Sequence, residues 1–148
     1  MKPKITKFGF AVFIYIFNAK FNKILLIKRN SEKRMKYGVT WGSVGGKIKF
    51  GEFSFEACLR EIEEEIGINI DPKMIKLIQT KEFINKEIEE YAVHFRYCSI
   101  LSEDIQLRLN DESDEYRWFS LSNLPKSMFE SQEEINSFKS LAIALFSN

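Results

Sequence analysis

The sequence has two cysteines, one histidine, almost no net charge and no apolar run long enough to cross a bilayer. Cys58 and Cys98 stand alone, without the paired spacing of a zinc site or the density of a disulfide scaffold. Buried free thiols in a reducing cytoplasm are therefore expected. The 22 basic and 21 acidic residues leave a net charge of +1. No global field then favours nucleic acid or an anionic membrane as a partner. The N-terminal FGFAVFIYIF (Phe8 to Phe17) follows basic residues, as a signal peptide does, but no small-residue cleavage site comes after it. It also falls short of the ~20 residues of a spanning helix. Its aromatic and β-branched content predicts a buried strand. His94 alternates with Ala92 and Arg96 on a second predicted strand and is read as structural. No repeat, low-complexity tract or linker interrupts the chain.

The 148 residues, 45% of them hydrophobic, suit one domain with a proper core. Strands are expected at 8–17 and 24–29, paired as a hairpin across the polar turn 18–23. Residues 30–38 lack periodicity and read as a charged loop, and 39–44 as a short strand ending at Gly45-Gly46. Asp71-Pro72 marks a turn. Long strands at 74–83 and 89–101, joined at Asn85-Lys86, then precede short ones at 105–109 and 116–119. Between these last two lies an acidic loop, NDESDE, and residues 121–124 form a single turn. Ser131 and Glu134 make a capping box, behind which Ile135, Phe138, Leu141, Ala142, Leu145 and Phe146 line a C-terminal helix.

The densest pattern is GKIKFGEFSFEACLREIEEEIGI, from Gly46 to Ile68. Phe55, Leu59, Ile62 and Ile66 line one face of a helix, with Ser54 as its N-cap and Gly67 at its left-handed end. Glu61, Glu64 and Glu65 fall in a sector beside that stripe. Carboxylates at i, i+3 and i+4 repel one another by a few tenths of a kcal/mol per pair. Alone, such a run is a solvated acidic face. With Gly46, Glu52 and Arg60 at fixed offsets it becomes a candidate site for a hard divalent cation.

Gly46, Glu52, Arg60, Glu61, Ile62, Glu64, Glu65, Gly67 and Ile68 give G-x5-E-x7-R-E-U-x-E-E-x-G-U, where U is a bulky aliphatic. Chance would produce all nine matches on the order of once in 10⁸ chains of this length. The pattern resembles the box of the Nudix hydrolases. That resemblance implies an α/β (α+β) fold, an α/β/α sandwich with a mixed β-sheet, the box loop-helix and a C-terminal helix. It also implies a Mg²⁺-dependent pyrophosphohydrolase, with Mn²⁺ as a substitute, acting on a small nucleotide, with a homodimer left open. Glu61, Glu64 and Glu65 would hold the metal, and Glu61 would also take the proton from the attacking water. Arg60 would brace a box glutamate, and Glu52 would support the cluster. The carbonyl of Gly45 would be a further ligand, and Gly46 would let the backbone approach the phosphates.

Substrate residues are implied more broadly. Lys47 and Arg29, with Lys28 as Arg29's neighbour, would neutralise phosphate, while Trp41, Tyr37 or Phe83 could stack on a base. Val44 replaces the family's usual proline before Gly45-Gly46. Trp41-x-Ser43-Val44 and Glu112-x3-Tyr116-Arg117-Trp118 resemble the bacterial enzymes acting on dATP or dihydroneopterin triphosphate. Glu112 would then be an outlying metal carboxylate, with Glu115 as its competitor. Nucleotide sugars and dinucleoside polyphosphates are the alternative substrates. A catalytically silent nucleotide sensor is the alternative class, and the intact box argues against it.

Overall fold

The computed structural model describes residues 1–147. Its seven strands form one mixed sheet. β1 (Lys7–Phe17) lies at the centre, parallel to β6 (Glu90–Ile100) along its whole length. β5 (Ile75–Asn85), preceded by a 3₁₀ turn at Pro72–Met74, pairs antiparallel with β6 at the sheet's edge. β2 (Lys23–Arg29) touches β1 only at Phe17↔Ile24, then diverges to pair with β3 (Trp41–Gly42) and β7 (Ser113–Ser120). The expected hairpin is therefore closed only at its base. The room this leaves beside β1 is taken by β4 (Val44–Lys47), antiparallel to Ala11–Ile14. Because β3 follows β2 and β4 follows β1, the single strand expected at 39–44 is broken into two.

Alternation along β1 builds the layers. Val12, Ile14 and Ile16 point one way, into a core closed by Ala57, Cys58, Ile62 and Ile66 of α2 (Ser54–Ile66). Tyr15 and Phe17 point the other way, to meet Ile135, Phe138 and Ala142 of α3 (Gln132–Phe146). The predicted α/β/α sandwich results. Each fully buried Ile on α2 contributes about 1.5–3 kcal/mol of transfer free energy, which fixes the helix face and with it the direction of its glutamates. Cys58 and Cys98 are buried free thiols. Among the described residues no helix is long and apolar enough to cross a membrane.

Four local expectations are corrected. Residues 30–38 are not a loop: α1 (Ser31–Tyr37) is capped by the Asn30 side chain, which accepts from Lys33 N–H at 2.9 Å, and ends at Gly38 with φ 74°. None of its residues is buried, so it carries no hydrophobic period to detect. Ser54 is not the N-cap of α2. Phe53 holds that position, its N–H donating to Glu56, while the Ser54 hydroxyl bonds that of Tyr97 at 2.7 Å. Residues 105–109 make no strand. Leu107 and Leu109 pack on the α2-side core, and Arg108 N–H donates to the Ile66 carbonyl at 3.0 Å. β7 begins at Ser113, inside the expected acidic loop, because β2 extends far enough to pair with it. The α3 capping box forms as expected, although Leu141 and Leu145 face outward.

Gly67 and Gly38 both end helices with positive φ, but their surroundings differ. A Cβ on Gly67 would lie 2.9 Å from the Arg108 carbonyl oxygen, whereas one on Gly38 would meet nothing within 4 Å. Gly38→Ala is expected to cost only the left-handed conformation, about 1–2 kcal/mol, and Gly67→Ala clearly more. Urea denaturation of the two variants checks this, and equal losses would show that the Arg108 contact gives way freely.

Candidate active site

Arg60 occupies the middle of the carboxylate cluster and uses all five of its N–H groups. Nε donates to Glu52 at 2.7 Å, and Nη2 donates to the other Glu52 oxygen and to the Lys47 carbonyl, both at 2.9 Å. Nη1 donates to Glu61 at 2.8 Å and Glu64 at 3.2 Å. The fork matches a carboxylate bidentately, so the helix, the box loop and the end of β4 are tied at one point. The bond to Arg60, joined by one from Lys49 N–H, holds the Glu52 carboxyl down to about 2, and Glu52 in turn raises the Arg60 pKa.

Glu61 and Glu65 are buried, at 7% and 6% exposure, against the backbone of β4. Glu65 accepts from Gly45 N–H at 3.2 Å. In an antiparallel strand a residue's N–H and C=O leave along the same edge, so the Gly45 carbonyl also faces α2. Gly46 is required by proximity: a Cβ there would stand 2.4 Å from a Glu61 oxygen. Burial, followed by the charge of Glu61 and a hydrogen bond to it, pushes the Glu65 carboxyl well above its ordinary value, and Lys33 partly opposes this.

Other expected residues separate into two groups. Glu64 is exposed and turned to Arg60 and, at 3.9 Å, to Lys49. Glu112 pairs with Lys33 at 3.0 Å, whereas Glu115 pairs with Lys28 and Arg117. Among the described residues no three His, Cys, Asp or Glu side chains converge as a ready ligand set. Arg29 lies between Tyr37 and Phe129, its guanidinium carbon 5.2 and 5.5 Å from the ring centres, and its buried Nε has no hydrogen-bond partner. The side chain of Lys47 is exposed. Trp41 is 8% exposed, edge-on to Phe119 at 4.8 Å and covered by Arg117. Its expected stacking role thus gives way to packing. Phe83 is engaged by His94 at 4.7 Å; burial and neighbouring Arg96 and Lys81 lower that histidine's pKa to about 4.

Sequence reasoning missed Lys33 and Lys36. Both sit on α1, the segment taken for a loop, and with Asn30, Glu32, Tyr37 and Glu112 they line a cleft of about 200 Å³. The signal that was available is the pair of caps, Asn30 and Gly38, spaced for two helical turns.

Comparison with known proteins defines the family. The NUDIX domain profile matches residues 7–138, and the chain belongs to the Nudix hydrolase family. It is 30% identical over 119 residues to the ADP-ribose pyrophosphatase of Methanocaldococcus jannaschii, covering 80% of this chain and 67% of that one. It is 26% identical over 98 residues to the dihydroneopterin triphosphate diphosphatase of Escherichia coli, covering 66% and 61%. It matches 118 residues of Saccharomyces cerevisiae mRNA-decapping enzyme subunit 2 at 28% identity, but spans only 11% of that protein's length. The crystal structure of a MutT NUDIX hydrolase from Burkholderia pseudomallei superposes with a TM-score of 0.69 at 25% identity, over 95% of this chain and 99% of that one.

The Glu61–Glu65 contact sets an expectation for the metal-free protein. Glu65 titrates above its unfolded value of 4.5, so the folded form binds the extra proton and stability falls as pH rises past 4.5. Glu65→Gln keeps the hydrogen bond from Gly45 and removes the charge. In EDTA it is expected to gain about 1 kcal/mol at pH 8, or ~2–4 °C in Tm, and less at pH 5. Scanning calorimetry at both pH values checks this, and a variant less stable than wild type at pH 8 contradicts it.

Proposed function

We propose that the chain is a Mg²⁺-dependent pyrophosphohydrolase of nucleoside triphosphates or related triphosphates, releasing a monophosphate and pyrophosphate. The observation that carries it is the set of carboxylates held on one hub, with Glu61 and Glu65 buried side by side and only Glu61 bonded to Arg60. Such an oxygen donor set favours a hard divalent cation over softer ones. Glu61, Glu64, Glu65, Glu112 and the Gly45 carbonyl would hold Mg²⁺ or Mn²⁺, with Glu52 as a support. The ion supplies charge neutralisation on the phosphates and a more acidic water.

The remaining work falls to the chain itself. Water attacks phosphorus, the bridging P–O bond breaks with its electron pair going to the departing phosphate oxygen, and Glu61 takes the water's proton. Arg60 fixes Glu61 in place, since a loosely held base loses most of its effect. Arg29, half-buried between two rings and, among the described residues, without a carboxylate partner, and Lys47 would bind the phosphate chain.

The resemblance to the dATP-type enzymes carries less of this reading than the cations do. Val44 and Trp41 are buried, and Tyr116 and Trp118 pack on the α2-side core, so their similarity bears on packing. Similarity to an ADP-ribose pyrophosphatase makes ADP-ribose the second candidate.

Purified protein with Mg²⁺ is expected to hydrolyse a triphosphate with a higher kcat/KM than ADP-ribose or diadenosine polyphosphates, and to stop on EDTA addition. Products resolved by chromatography check this. Activity that survives chelation overturns the metal reading, and ADP-ribose leading by tenfold overturns the substrate reading alone. Glu61→Gln is expected to lower kcat by ~10²–10⁴ with the fold intact by circular dichroism.

Glu112→Gln should depress kcat more than KM if Glu112 is the outlying carboxylate, with Glu115→Gln mild, because such a contact matters most in the transition state. Steady-state kinetics of both variants test that ranking, and its reversal moves the outlying role to Glu115.

A further inference from the structure

Lys33 sits where the carboxylate site and the α1 cleft meet. Its ammonium pairs with Glu112 at 3.0 Å. The backbone around this pair is fixed from both sides. Asn30 N–H donates to the Glu112 carbonyl at 2.9 Å, and Asn30 Nδ2 donates to the Asp111 carbonyl at 3.0 Å. Arg34 ties α1 to Asp114 at 2.9 Å and to the Arg29 carbonyl. Within this fixed backbone, the four-carbon stem of Lys33 carries a compact charge with freely rotating donors. Next to it opens the cleft of about 200 Å³, where Lys36 lies 5.2 Å from the Tyr37 ring centre and, among the described residues, has no carboxylate partner.

A cation that already pairs with Glu112 cannot stay there unchanged when a divalent ion takes that carboxylate. The two charges repel, and one set of carboxylate oxygens serves both. A ligand shifts such an arrangement only through its different affinity for the two states. The divalent ion has that difference built in, because it meets Lys33 in one state and not in the other.

We propose that Lys33 is a tethered cation that competes with the divalent metal for Glu112, and that, once displaced, it turns into the adjoining cleft to bind a phosphate oxygen of the substrate together with Lys36. This rests on the metal-dependent reading above. Metal binding and phosphate binding are then coupled through one side chain: the ion frees the charge that the substrate uses.

The test measures Mn²⁺ binding to the full chain without substrate, by electron paramagnetic resonance or calorimetry, alongside steady-state kinetics. Lys33→Met is expected to bind Mn²⁺ about tenfold more tightly and to show a several-fold higher KM for a triphosphate, with kcat changed less. Lys33→Arg keeps the ion pair and should bind Mn²⁺ as wild type does. Lys36→Met should raise KM and leave Mn²⁺ affinity alone. Circular dichroism of each variant verifies that α1 and the fold persist. Mn²⁺ affinity in Lys33→Met that is weaker than wild type, or within twofold of it, overturns the competition. Tighter Mn²⁺ binding with an unchanged KM overturns the phosphate role. Wild-type protein that takes up no Mn²⁺ overturns the metal-dependent reading itself, a result distinct from either of these.

Discussion

The guanidinium of Arg60 is the point on which the site depends. Three glutamates on one sector of a helix and a fourth from the preceding loop would repel one another and spread into solvent. Arg60 spends every N–H it has on preventing this, reaching Glu52 with two donors and Glu61, Glu64 and the Lys47 carbonyl with one each. The loop is thereby pulled onto the helix, and the end of β4 onto both. A lysine at this position would satisfy fewer partners and would lack the planar fork. The bonds to Arg60 are also what let Glu61 remain buried, because a buried carboxylate without a partner is among the costliest groups a fold can carry.

Glu65 is treated differently. It receives one backbone N–H and the distant charge of Lys33, against burial and the charge of Glu61. The fold therefore tolerates an unfavourable contact on a helix whose Ile62 and Ile66 are fully buried. Packing on one face of α2 sustains electrostatic strain on the next. That is the expected signature of a site whose missing partner is a ligand, since residues under no such demand would have relaxed toward neutral or solvated groups.

The sequence made the box legible because its signal is local. Helix period, end glycine and carboxylate spacing all lie within Gly46–Ile68, and the structure brings Gly46, Glu52, Arg60, Glu61 and Glu65 together within that span. The sandwich was legible for a related reason, since β1 alternates between two cores along its length. What stayed hidden was whatever depends on distant partners. α1 buries none of its residues, so periodicity could not reveal it. Residues 105–109 have the apolar alternation of a strand but meet the end of α2 instead of a neighbouring strand. Trp41 looked free to stack because nothing local shows that Phe119 and Arg117, from β7, close over it.

These hidden elements bear on specificity more than on chemistry. The glutamates and Arg60 would serve any phosphoanhydride, because they address the reacting phosphorus alone. Discrimination must come from groups meeting the rest of the substrate, and around this site those are cations on β2 and α1. Arg29 is sandwiched and, among the described residues, without a carboxylate partner, and Lys33 and Lys36 edge the neighbouring cleft. Flexible lysines and one guanidinium recognise phosphate charge well but read little of a base or a sugar. On the triphosphate reading, a site so equipped would distinguish substrates by the number and position of their phosphates, and the exposed rings of Tyr37 and Phe129 would leave the base only loosely specified.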